Sequence, residues 1–181
     1  SGAGTILLGH NNKIFRDSLR SFLKVNASNF ASPNIYAYKF IKILKKLYPQ
    51  FSKFILCNSG AEANLKALRI VRAATNKEMI INVSGSWHGS VDQLLHEPKK
   101  NLRSSPISAG LDKSLKKNLV FIPYNDLEKS IKILNKYKKK IACVLVEPVQ
   151  GGFPKLENER YLQFLSKYCK KNNIIFFLDE I

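Results

Sequence analysis

Residues 54–64 read FILCNSGAEAN, an apolar run that ends at Asn-Ser-Gly and continues with residues that favour a helix. The β-branched and aromatic residues predict a strand over 54–57, and the residues after Gly60 predict a helix over 61–74. Such a junction places free N–H groups of the first helical turn, together with the Ser59 hydroxyl, where they can bind a phosphate ester. An ordinary capped turn between a strand and a helix has the same residues, so this stretch alone leaves both interpretations open.

Further apolar runs predict strands, and helical patterns separate most of them. The strands are expected over 79–83, 119–122, 141–147 and 174–179, and helices over 126–137 and 157–171. Two more helices are expected nearer the start of the chain, over 14–24 and 34–47. Continuous hydrophobic strands that alternate with amphipathic helices are typical of a mostly parallel sheet with helices on both faces. The sequence therefore predicts an α/β fold, in which the long Ser-, Pro- and Lys-rich segment 85–117 is expected to be a lid or mobile.

The chain is strongly basic, with 30 Lys and Arg against 13 Asp and Glu and a formal net charge of +17. A charge of this size is typical of proteins that bind nucleic acid or an anionic membrane. Only six of the basic residues are Arg, however, and Arg is the side chain that reads bases and binds phosphates in a bidentate manner. Dispersed Lys residues indicate a solvated surface instead. We expect neither a nucleic-acid nor a membrane partner, and a basic nucleic-acid-binding module is the non-enzymatic alternative.

The three cysteines lie far apart, in or beside apolar runs: Cys57, Cys143 and Cys169. This arrangement predicts free thiols of a reducing compartment, and neither the cysteines nor the three histidines have the spacing of a metal site. No apolar run approaches the ~18 residues needed to span a bilayer. The sequence therefore predicts a soluble cytoplasmic protein without a metal.

Polar and aromatic residues follow several of the predicted strands. The sequence SGSWHG follows at 84–89, EPVQGG at 147–152 and DEI at 179–181. Because ligands of open α/β sheets bind outside the carboxyl ends of the strands, these residues are expected to lie near one another. Asp179 ends an apolar run, and a buried carboxylate requires a cationic partner. A phosphate cradle, an aromatic ring and two acids would suit a flat, phosphorylated, cationic ring, although Trp87 could be a packing residue and His88 could cap a turn.

Four motifs together resemble those of the class III aminotransferases, which use pyridoxal 5'-phosphate (PLP). They are NSGAEAN at 58–64, SWHG at 86–89, VEPVQGG at 146–152 and FLDEI at 177–181. The resemblance runs through nearly the whole chain and is greatest to the glutamate-1-semialdehyde 2,1-aminomutases. It implies the large domain of a PLP-dependent transferase of fold type I, similar to aspartate aminotransferase and incomplete at both ends. Residues 1–50 would form an N-terminal helical segment and 51–181 part of the PLP-binding domain, without the C-terminal small domain.

The resemblance implies where the cofactor phosphate and ring would lie. Ser59 and the N–H groups of Gly60 and Ala61 would hold the phosphate of PLP. Trp87 would stack on the pyridine ring, with His88 beside it. The resemblance thus implies that the motifs at 58–64 and 86–89 bind different parts of one cofactor.

The same resemblance implies roles for the residues after the last two strands. Asp179 would pair with the protonated ring nitrogen and keep the ring cationic, and Ile181 would pack on the ring face opposite Trp87. Glu147 would lie on the substrate side of the cofactor. The reaction implied is amino-group transfer to or from a small-molecule amino substrate. In the aminomutases it is intramolecular and yields 5-aminolevulinate for tetrapyrrole (porphyrin) synthesis.

The sequence departs from the family at three places. The Lys that forms the Schiff base in the family would follow the Asp-Glu-Ile motif, so the resemblance implies a fragment that is inactive alone. Ala3 and Ile35-Tyr36 stand where the aminomutases carry Trp and Glu-Asn, at positions that bear on substrate choice. A class III aminotransferase acting on another amino acid, aldehyde or keto sugar is therefore the alternative, and a relative that keeps the fold without the chemistry is a third. The family also implies a homodimer.

Overall fold

The chain divides into two compact units, Ser1–Leu56 and Cys57–Ile181, and the computed structural model describes residues 2, 5–25 and 34–180. The first unit contains α1 (Lys13–Lys24) and α2 (Ile35–Leu47). Each helix begins after an Asn whose side chain accepts a hydrogen bond from the first turn: Asn12 from the Ile14 N–H and Asn34 from the Ala37 N–H. These caps satisfy N–H groups that otherwise lack a partner. Both expected helices are confirmed to within one residue.

The second unit contains a parallel sheet with helices between most of its strands. Its elements are α3 (Gly60–Thr75), β1 (Met79–Val83), β2 (His96–Pro98), β3 (Ser104–Pro106), β4 (Leu119–Ile122), α4 (Leu127–Tyr137), β5 (Ile141–Val146), α5 (Glu159–Lys171) and β6 (Ile175–Leu178). Four of the strands form one sheet in the order β4-β1-β5-β6, and every neighbouring pair is parallel. The predicted α/β fold with a mostly parallel sheet is confirmed.

Alternate residues of the central strands point to opposite faces of the sheet, and helices cover both. On one face, Ile81 and Val144 pack against Leu134 of α4 and Leu165 of α5. On the other face, a second buried cluster joins Leu68 and Val71 of α3 to Ile80 and Leu145. Strands that are buried on both faces explain why their sequences are hydrophobic without alternation. The prediction of helices on both faces is confirmed.

The strand predicted over 54–57 is wrong. Residues 51–57 form no strand, and Ile55 and Leu56 are exposed. A β-strand needs a neighbour with which to exchange backbone hydrogen bonds, and none of the four parallel strands pairs with this run. The composition of residues 54–57 does favour a strand, but within the described part of the chain this run has no strand with which to pair.

The long segment 85–117 contains a hairpin that its composition does not indicate. The strands β2 and β3 pair in antiparallel fashion, with His96 opposite Pro106 and Pro98 opposite Ser104. Each strand has three residues and ends in proline, so neither has the alternation by which a strand is found in a sequence. The proposed lid function of the segment stays a prediction.

The cysteines are free: Cys143 and Cys169 are buried, and Cys57 is half-buried. Burial raises the pKa of the Cys143 and Cys169 thiols to about 12, so both are neutral packing groups. Within the described residues, no helix is long and apolar enough to cross a membrane. The same part of the chain contains no cluster of three or more side chains that could bind a metal ion.

Candidate functional site

The turns that follow β1, β5 and β6 lie at one edge of the sheet, and those after β1 and β6 contact the first turns of α3. The turn after β1 carries Trp87 and His88, the turn after β5 begins with Glu147, and Asp179 follows β6 directly. Parallel strands bring their carboxyl ends to the same edge, which is where ligands of open α/β sheets bind. Hydrogen bonds join these residues to one another and to α3.

The start of α3 is a capped helix end with two unused N–H groups. Ser59 is the N-cap, and its Oγ accepts a hydrogen bond of 3.1 Å from the Glu62 N–H. The Glu62 carboxylate in turn accepts from the Asn58 N–H at 2.8 Å. The N–H groups of Gly60 and Ala61 have no acceptor among the described residues. Together with the positive end of the helix dipole they can bind an anion, and the Ser59 hydroxyl proton is free to join them.

Gly89 brings the turn after β1 against the start of α3. Its φ is +75°, and a Cβ built on it would lie 3.0 Å from Ala61 Cβ and 3.3 Å from Ala61 N. Any other residue would crowd the start of the helix, which would have to shift by a few tenths of an ångström, and would be strained in the left-handed backbone. Gly89 therefore allows the backbone of this turn to approach Ala61 at the start of α3 closely.

Asp179 is held by two donors on the same oxygen. Its Oδ2 accepts hydrogen bonds from Asn64 Nδ2 at 2.9 Å and from His88 Nδ1 at 2.8 Å, whereas no described residue donates to Oδ1. The side chain is 11% exposed, and the ring of His88 is fully buried. Burial alone would raise the pKa of Asp179, but the hydrogen bonds from His88 and Asn64 bring it below its usual value. The carboxylate is thus ionised and keeps one oxygen for a further donor.

Asn64 and Asn82 complete this network from two other elements. Asn64 Nδ2 also donates to the backbone carbonyl of His88 at 3.0 Å, which fixes the turn after β1 to α3. Asn82 in β1 places its Oδ1 3.0 Å from His88 Nε2. Both asparagines are buried. The imidazole of His88 is therefore bonded on both nitrogens and cannot rotate without losing a contact.

Glu147 fastens the turn after β5 to the turn after β1. Its two carboxylate oxygens accept hydrogen bonds from the backbone N–H groups of Trp87, at 3.1 Å, and Gly151, at 2.7 Å. Gln150 adds a second link, because its Nε2 donates to the Ser84 carbonyl at 2.9 Å. While its backbone is held in this way, the Trp87 side chain is 52% exposed. An exposed aromatic ring on a fixed backbone is available to stack on a flat ligand.

The structure brings most of the predicted site residues together. Ser59, Gly60 and Ala61 form the helix start, His88 is bonded to Asp179, and Trp87 is bonded through its backbone to Glu147. Ile181 lies outside the described residues, as does Ala3. The ligand-binding role of every one of these predicted site residues remains a prediction.

Sequence reasoning missed three residues of the site: Asn64, Asn82 and Gln150. A signal existed for two of them. Asn64 lies at helical spacing from the buried Leu68 and Val71, and Asn82 interrupts the apolar run of β1. A polar residue on an apolar face must find a hydrogen-bond partner, which marks it as part of a network. Gln150 has no such signal, because it lies in a turn and not on the apolar face of a helix or strand.

Comparisons with known proteins identify the family and the fold of the chain. The family model of the class III aminotransferases matches residues 1–181. Two glutamate-1-semialdehyde 2,1-aminomutases are similar: that of Wigglesworthia glossinidia brevipalpis is 34% identical over 98% of this chain, and that of Methanosphaera stadtmanae is 32% identical over 99%. The chain spans 42% and 43% of their lengths.

Solved structures share the fold. A transaminase with PLP bound superimposes with a TM-score of 0.89 at 25% identity, over 99% of this chain and 43% of that one. A glutamate-1-semialdehyde aminomutase from Pseudomonas aeruginosa PAO1, in complex with PMP, gives a TM-score of 0.82 at 20% identity, over 99% and 39%. The second likeness concerns the fold alone. From the match of the family model along all 181 residues, the chain belongs to the class III aminotransferase family.

Proposed function

We propose that this chain contains the cofactor-binding part of a PLP-dependent enzyme that transfers amino groups. The single observation that carries the proposal is the state of Asp179. Its Oδ2 is saturated by Asn64 and His88, its pKa is lowered, and its Oδ1 is left without a donor among the described residues. An ionised carboxylate with one free oxygen is what a protonated ring nitrogen requires.

The rest of the site fits the other parts of PLP. The phosphate would meet the Gly60 and Ala61 N–H groups and the Ser59 hydroxyl, and the absence of a side chain at Gly89 would avoid crowding beside Ala61. The exposed ring of Trp87 would lie against the pyridine ring. When bound, PLP supplies a cationic ring that accepts the electron pair left as the substrate loses its α-proton. The chain's own residues bind, orient and keep the charge of that ring.

Glu147 would shape the substrate side of the site indirectly. Both of its oxygens are already engaged by the backbone of Trp87 and Gly151. The carboxylate would therefore hold the aromatic ring in place and close the turn that borders the substrate. This role is compatible with the predicted one and gives it a physical form.

The finer assignment within the family is to glutamate-1-semialdehyde 2,1-aminomutase activity, that is, formation of 5-aminolevulinate for tetrapyrrole synthesis. The two aminomutases of 34% and 32% identity support it. The alternative is a class III aminotransferase with another amino acid, aldehyde or keto sugar as substrate, which the similarity to a transaminase supports. A cytoplasmic homodimer without nucleic-acid or membrane partners belongs to the same proposal.

The test uses the full-length protein, PLP and two matched variants. Equilibrium dialysis gives the Kd for PLP, and conversion of glutamate 1-semialdehyde to 5-aminolevulinate gives the activity. We expect Asp179→Asn to weaken PLP binding and to reduce the activity by orders of magnitude. Asp112→Asn should change neither, because Asp112 is an exposed carboxylate that accepts from the Ser114 N–H at 2.8 Å. A wild-type protein that retains no PLP would overturn the cofactor proposal, and amino transfer from other donors without 5-aminolevulinate would favour the alternative.

A further inference from the structure

A cavity of about 600 Å³ lies between α3 and the segment that follows Gly89. Its apolar wall consists of Leu65 and Leu68 of α3 together with Val91 and Leu115. Leu68 and Val91 are buried in the core, whereas Leu65 is 48% exposed. A cavity of this volume with mostly apolar walls is typical of sites that bind small organic molecules.

Two arginines of α3, Arg69 and Arg72, also line this cavity and lie one helical turn apart. The ion pairs among the described residues include neither guanidinium group. Arg72 is half-buried and also lines an adjoining cavity of about 310 Å³, which Lys117 lines as well. Like charges one turn apart repel each other, and a guanidinium group has five N–H donors and no acceptor. An anion bound between the two arginines would relieve this repulsion and accept their hydrogen bonds.

The carboxylates around the two cavities do not neutralise these arginines. Glu62 lies 2.6 Å from the Lys66 ammonium group, which balances its charge. Glu78 accepts a hydrogen bond of 2.7 Å from Asn118 Nδ2. Asp92 is exposed, so water solvates its charge, and it forms no ion pair with a described residue. The positive charge beside the apolar wall is therefore left for a ligand.

We propose that this cavity binds a small organic acid, whose carboxylate pairs with Arg69 and Arg72 and whose apolar body packs against Leu65 and Leu115. Guanidinium groups bind carboxylates in a bidentate manner, and the attraction is stronger beside apolar walls than in open water. The apolar wall favours such an acid over an inorganic anion, because only a ligand with an apolar body gains free energy from burial there. The inference goes beyond the proposed function and does not depend on it, since Asp179 is not among the residues that line the cavity.

The test uses the full-length protein and two probes that share one apolar body. Isothermal titration calorimetry gives the Kd of 4-phenylbutyrate and of its uncharged analogue, 4-phenylbutanol. We expect the acid to bind the wild type about tenfold more tightly than the alcohol, because only the acid pairs with a guanidinium group. Arg72→Gln should remove most of this preference. It should leave the affinity for the alcohol unchanged, which would show that the cavity still forms in the variant.

Two further variants separate the apolar contribution from the charge. Leu65→Ala should weaken the binding of acid and alcohol alike, by about two- to fivefold, because both probes use the apolar wall. Arg160→Gln removes an exposed arginine of α5, on the opposite face of the sheet, and should change neither Kd. Equal affinity of the wild type for acid and alcohol, or an unchanged preference in Arg72→Gln, would overturn the inference. Absence of binding would also overturn it and would indicate that a second copy or another part of the full-length protein fills the cavity.

Discussion

Replacing Asn64 by Ala should destabilise the protein by about 1.5–4 kcal/mol, because one buried amide serves two acceptors on different elements. Its Nδ2 donates to the Asp179 carboxylate at 2.9 Å and to the His88 carbonyl at 3.0 Å. A hydrogen bond to a charged group contributes about 1.5–3 kcal/mol and one to a carbonyl about 0.5–1.5 kcal/mol. The higher helix propensity of Ala offsets at most about 0.7 kcal/mol of the loss.

Urea unfolding of the full-length protein measures this loss, and Asn118→Ala is the matched control. Asn118 Nδ2 also donates to a carboxylate, that of Glu78 at 2.7 Å, but the contact is exposed. We expect the control to cost less than about 1 kcal/mol, since water replaces the lost donor. Equal losses in the two variants would refute the reasoning, because they would show that burial of the Asn64 network adds nothing. PLP binding should weaken in Asn64→Ala and stay unchanged in Asn118→Ala.

Three other changes test the remaining parts of the site. Gly89→Ala should weaken PLP binding and destabilise the protein more than Gly110→Ala does. Both glycines have positive φ, but only Gly89 lies against α3. Equal losses of stability and of PLP affinity in the two variants would show that backbone strain alone is responsible. Glu147→Gln should lower the free energy of unfolding in urea by about 1–3 kcal/mol and shift the fluorescence of Trp87, because an amide oxygen can accept from only one of the two N–H groups that the carboxylate accepts from. An unchanged emission spectrum would show that Glu147 does not hold the backbone of Trp87. The free energy of unfolding should differ most between wild type and Asp179→Asn above about pH 4, and the difference should shrink as the pH falls. Folding lowers the pKa of the Asp179 carboxyl group, and such a group stabilises the protein only while it is ionised. A difference that does not change with pH would contradict an ionised Asp179.

The sequence was sufficient where local chemistry and burial agree. The strands over 79–83 and 119–122 form with the expected bounds, because short, continuously apolar runs suit strands that are buried on both faces of a sheet. The run 54–57 had the same composition and failed, since a strand also needs a paired edge, and sequence composition carries no information about edges. The hairpin of β2 and β3 shows the converse case, in which pairing forms a strand that composition does not favour.

The candidate site shows the same limit at the level of single side chains. Motif reasoning places Asp179 and His88 at one edge of the sheet, but it treats His88 as a neighbour of Trp87 and therefore of a ligand. The structure turns the imidazole into the sheet, between Asn82 and Asp179. Because adjacent residues in a turn can point to opposite sides, sequence proximity to Trp87 carries no information about that direction. The buried polar residue in an apolar strand does, because Asn82 has to find a partner inside the protein. The interruption of an apolar run is thus the more useful guide to the residues that hold a site in place, and motifs are the guide to those that meet its ligand.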